Sequence, residues 1–66
     1  MNLSKSLRLA IAEKGIRHKD LADAIGCSSQ QVSNWLKSGS IKQSTLVAIA
    51  EYFEMPVSEF VALGED

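Results

Sequence analysis

Apolar residues recur along this chain at spacings of three and four, and no segment alternates with a period of two, so helices are the expected elements. Leu3, Leu7, Ala10, Ile11 and Lys14 carry the rhythm of a first helix, which starts after Asn2 or Ser4 and stops at Gly15. A second begins near Arg17 or His18 and ends at Gly26, with Leu21, Ala22 and Ile25 as its apolar stripe. Ser28 is the expected N-cap of a third, running to about Lys37 on Val32, Trp35 and Leu36. Ser38-Gly39-Ser40 reads as a loop. Ser40 or Lys42 opens a fourth helix, whose inward stripe is Leu46, Ile49, Ala50 and Phe53. Pro56 breaks that helix and sits in the first turn of a short fifth, Val57 to Leu63, followed by a frayed tail, Gly64-Glu65-Asp66. The pattern predicts an all-α bundle of four or five short helices.

At 66 residues the chain holds one domain, 1–66, and its apolar fraction of 45% argues against disorder. Cys27 is the only cysteine, so neither an internal disulfide nor a cysteine-based metal site is expected. No apolar run reaches the length of a leader or a membrane span, and the expected compartment is the cytoplasm, with no membrane partner.

The net charge of −1 argues against a nucleic-acid binder until its distribution is considered. All seven basic residues (Lys5, Arg8, Lys14, Arg17, Lys19, Lys37 and Lys42) fall in residues 1–42, where only Glu13, Asp20 and Asp23 oppose them, a balance of +4. Residues 43–66 hold Glu51, Glu54, Glu59, Glu65 and Asp66 and no base, a balance of −5. One half suits an anion and the other is kept from it, unless the clustering is chance in a short chain.

The informative stretch is residues 17–37. Two short helices separated only by Gly26-Cys27-Ser28 must cross steeply, as a helix-turn-helix requires. Ala22 is small where they approach, and Ile25, Val32 and Trp35 lock the angle. On a wheel with Val32 at the origin, Gln30 falls at about 160°, Asn34 at about 200°, Lys37 at about 140° and Ser33 at about 100°. The face opposite the core is therefore Gln30, Ser33, Asn34 and Lys37, with Ser29 at its edge, and none of these is acidic. Gln and Asn carboxamides match the donor and acceptor of adenine in the major groove, and Ser reaches several base edges. A solvated surface helix is the bland alternative, but it more often carries Glu and Lys pairs.

Leu21-Ala22, Ile25-Gly26, Ser28, Val32-Ser33, Trp35, Leu46-(x)2-Ile49-Ala50 and Val57-Ser58-Glu59-Phe60-Val61 together resemble the phage repressor/Cro, or XRE-type, helix-turn-helix family, over nearly the whole chain from Leu3 to Leu63. The resemblance implies a five-helix, lambda-repressor-like bundle that dimerises on a pseudo-palindromic operator with its third helix in the major groove. Ser29, Gln30 and Asn34 match positions that touch base edges in that family. His18 matches a phosphate-gripping position, and Ser28, Lys37 and Lys42 match positions near the backbone. The chain departs from the family in the loop Leu36 to Lys42, at Pro56, and in its acidic balance.

His18 is the only histidine, so no His-based dyad or metal cluster can form with a second; at a helix N-terminus it suits a phosphate, or is merely exposed. Arg17 and Lys19 touch phosphate or only aid solubility. Cys27 reads as a buried structural thiol and Trp35 as packing. Val57, Phe60, Val61 and Leu63 leave apolar surface on the last helix, shared between the core and a candidate dimer contact.

These readings predict a sequence-specific regulator of double-stranded DNA, a Cro-like protein or repressor, acting as a homodimer that forms in solution or only on DNA. The competing reading is an antitoxin-like or other protein-interaction module on the same fold. An enzyme is not expected: there is no nucleophile–base pair, phosphate loop or metal-ligand spacing, and no cofactor or small-molecule substrate is implied.

Overall fold

The computed structural model describes residues 2–65 and contains five helices: α1 (Leu3–Lys14), α2 (His18–Ile25), α3 (Ser29–Ser38), α4 (Gln43–Tyr52) and α5 (Val57–Ala62). Met1 and Asp66 lie outside the described residues, which form no strand. The all-α expectation holds, and none of the helices is long and apolar enough to cross a membrane.

Asn2 decides where α1 begins, because its Oδ1 accepts the Lys5 N–H at 3.1 Å and the Ser4 hydroxyl at 2.8 Å. Leu3, Ser6, Leu7, Ala10 and Ile11 form its buried face. Lys14 stays exposed, with Nζ 5.4 Å from the centre of the Tyr52 ring in a cation–π contact. The apolar stripes close on one core: α1 packs on α3 and α5, α2 on α3 and α4, and α4 on α5. Leu7, Leu21, Val32, Ile49 and Phe60 are fully buried there.

Two helix ends differ from expectation. Ser38 belongs to α3 rather than to the following loop, and Pro56 stands just before α5 as its N-cap, with extended backbone (φ −65°, ψ 152°). The α4 terminus has no glycine, yet it closes in a Schellman motif. Met55 N–H donates to Ala50 O, and Glu54 N–H donates to Glu51 O, both at 3.0 Å. Glu54 therefore adopts φ +58°, the one positive φ among the described non-glycine residues.

Phe60 requires a correction. The sequence left it shared between core and dimer contact, but it is fully buried and stacks on Phe53 with ring centres 6.2 Å apart. Its ring belongs to the core, while Val57, Val61 and Leu63 are only half-buried.

The start of α1 and the residues after α5 are clasped, so Gly64 is buried rather than part of a frayed tail. Ser6 is fully buried, and its hydroxyl donates to Val61 O at 3.2 Å and to Asn2 O at 3.3 Å. Gly64 lies against the same place: a Cβ there would collide with the Asn2 carbonyl oxygen and stand 2.5 Å from Ser6 Oγ.

Candidate nucleic-acid interface

The turn between α2 and α3 begins at Gly26, whose φ of +88° is open to glycine at little cost. No atom lies within 4 Å of where its Cβ would be, so the requirement is conformational rather than steric. Gly26 and Cys27 N–H groups both donate to Ala22 O, at 2.8 and 2.9 Å, which ends α2 abruptly. Two residues later Ser28 Oγ accepts the Gln31 N–H at 3.2 Å and opens α3. That leaves the Ser29 and Gln30 N–H groups, at the positive end of the α3 dipole, without helical partners. The Ser28 hydroxyl proton is also still available to an outside acceptor.

Packing then fixes which face of α3 is presented. Val32 and Trp35 are buried, Leu36 is half-buried, and Ser29, Gln30, Asn34 and Lys37 are exposed, as the wheel requires. Ser33 is half-buried on the flank of that face. Gln30 Nε2 donates to Asn34 Oδ1 at 3.2 Å, joining two carboxamides one helical turn apart. At the far end of the helix Ser38 Oγ donates to Asn34 O at 2.9 Å, and Ser40 N–H donates to Ser38 Oγ at 3.2 Å. These bonds tie the exit of α3 to the loop that carries Lys42.

Arg17, His18 and Lys19 stand exposed at the start of α2. Arginine has no acceptor atom, so only half a capping box forms there: the Arg17 N–H donates to Asp20 Oδ2 at 3.0 Å. The Asp20 carboxylate thus takes up part of the attraction that this helix end holds for an anion. The Arg17, Lys19, Lys37 and Lys42 side chains form no ion pair among the described residues. Lys42 is the N-cap of α4. It borders a half-open hollow of about 390 Å³ beside the turn, with Gln31, Trp35, Ser40 and Thr45 among its walls. Gln31 and Thr45 were not singled out from the sequence. On the wheel Gln31 falls between the core and the outward face, at about 260°, and Thr45 joins it only through tertiary packing.

Cys27 also lines this hollow and is half-buried rather than buried as expected. Burial pushes its thiol up from the ordinary value, which disfavours the thiolate.

The family described as helix-turn-helix matches residues 5–60. The chain is similar to the "Repressor protein CI" of Enterobacteria phage phi80, with 31% identity over 52 residues, covering 79% of this chain and 22% of the phage protein. It therefore spans about a fifth of the length of that relative. No solved structure matches.

Proposed function

The chain belongs to the helix-turn-helix family, and from that premise we propose that it is a transcriptional regulator that binds double-stranded DNA by placing α3 in the major groove. One observation carries the reading: the exposed face of α3 holds Ser29, Gln30, Asn34 and Lys37 and no acidic residue, while the helix is anchored from behind by buried Val32 and Trp35. Ser29, Gln30 and Asn34, with Ser33 at the flank, touch base edges. Arg17, His18, Lys19, Ser28, Lys37 and Lys42 hold phosphates, which supplies most of the affinity and makes it fall with salt.

Residues 1–66 act as one DNA-binding unit in the cytoplasm. Two copies occupy half-sites about 34 Å apart on a pseudo-palindromic operator. The dimer contact lies on Val57, Val61 and Leu63, whose side chains are half-buried on or just after α5. Occupation of the operator blocks transcription, which is repressor or Cro-like behaviour.

Selection from a random duplex DNA pool at two salt concentrations tests this. Enrichment of a two-fold symmetric site, weakened by salt and lost in the Gln30→Ala/Asn34→Ala double variant, is the expected result. Binding that is equal on all sequences would refute it and favour a protein-interaction module on the same fold.

A further inference from the structure

The bond between Gln30 and Asn34 changes what each carboxamide can do. An exposed glutamine on a helix has three side-chain torsions, and its amide can present oxygen or nitrogen to a base with equal ease. Here Gln30 Nε2 donates to Asn34 Oδ1 at 3.2 Å. A half-turn of either amide alone would set two acceptors or two donors face to face. Gln30 thereby keeps Oε1 and its second N–H for an outside partner. That acceptor–donor pair is the complement of the N6–H and N7 of adenine. The two amides can therefore turn only together, and we infer that Asn34 is a positioning residue for Gln30, holding it in the arrangement that makes Gln30 an adenine reader.

The inference rests on the DNA-binding function proposed above and adds a specific dependence to it. If the two residues read bases independently, each controls its own base pair. If Asn34 positions Gln30, removing Asn34 also degrades discrimination at the base pair under Gln30. In water the bond competes with solvent at both exposed side chains; against a base, with water displaced, it strengthens. Neither side chain supports the fold. Both are exposed, and the neighbouring bond from Ser38 Oγ goes to the Asn34 backbone oxygen, which a substitution keeps.

The test uses the full chain and four proteins: unsubstituted, Gln30→Ala, Asn34→Ala and Asn34→Asp. The selected site is first found with the unsubstituted protein. The base pair under Gln30 is the one whose preference vanishes in Gln30→Ala. Affinities are then measured on duplexes carrying each base there, with helicity checked by circular dichroism.

The unsubstituted protein should prefer adenine there by roughly tenfold or more, the scale of a good bidentate contact. Asn34→Ala should cut that preference severalfold. Asn34→Asp keeps an oxygen in the same place and offers acceptors only, so it should preserve the preference at the base pair under Gln30, while the added negative charge lowers overall affinity and only the preference at Asn34's own base pair changes. Preference left intact in Asn34→Ala, or lost equally in Asn34→Asp, overturns the positioning role while leaving DNA reading in place. Sequence-blind binding by the unsubstituted protein overturns both.

Discussion

Replacing Glu54 with glycine should stabilise the protein by about 1 kcal/mol. Glu54 closes the α4 Schellman motif at φ +58°, a conformation that costs an L-residue with a Cβ roughly 1–2 kcal/mol. Glycine avoids that strain but loses about 0.5–1 kcal/mol more conformational freedom on folding, so the backbone gain is between about 0 and 1.5 kcal/mol, about 0.75 kcal/mol at the midpoints. The substitution also removes a carboxylate from a helix C-terminus, worth about 0.3 kcal/mol at an exposed site in low salt. In a domain of this size 1 kcal/mol corresponds to a rise in Tm of about 4–8 °C. Urea unfolding followed by circular dichroism, at one fixed protein concentration, measures the change through the midpoint at constant slope. Two companions separate the contributions. Glu54→Gln removes only the charge and should gain about 0.3 kcal/mol. Glu54→Ala keeps a Cβ in the left-handed region and should recover none of the backbone gain. If alanine stabilises as much as glycine, the strain assigned to this residue is not there.

Phe60→Ala should remove about 3–5 kcal/mol, comparable with the whole stability expected of a 66-residue domain, and abolish the cooperative unfolding transition. Val57→Asp places an acid in the first turn of α5, where the helix dipole tolerates it, and should leave helicity intact while weakening self-association by sedimentation; a normal dimer would move the contact off this surface. Ser28→Ala should cost about 1 kcal/mol in urea unfolding, because the Gln31 N–H keeps only its 3.0 Å bond to Ser28 O, and an unchanged midpoint would mean that the cap contributes nothing.

Elements set by local rules were legible in the sequence. Gly15 and Gly26 mark helix ends because backbone conformation is a property of the residue itself, and both take positive φ. The outward face of α3 was legible because one buried residue, Val32, fixes the phase of the whole helix. Features decided by distant contacts were hidden. On a six-residue helix periodicity cannot divide core from interface, and it is the Phe53 ring, stacked on Phe60 from another helix end, that places Phe60 in the core. Glu54 gives no local sign of a left-handed turn, because that conformation accompanies the Met55 N–H bond back to Ala50 O and the packing of Met55 against the core. The Gln30–Asn34 bond was foreshadowed by spacing alone: positions four apart share a face, but residue types do not say whether two amides face each other or face solvent.

The meeting of Asn2, Ser6, Val61 and Gly64 also bears on how the molecule responds to load. Because the described chain runs out and returns almost to its starting point, a pull applied through both ends acts across a single corner instead of along the helices. The Ser6 hydroxyl bond to Val61 O and the Gly64 contact take that load first, so α5 peels from α1 one contact at a time. The bundle is therefore mechanically soft along this one direction, however stable it is to heat or urea.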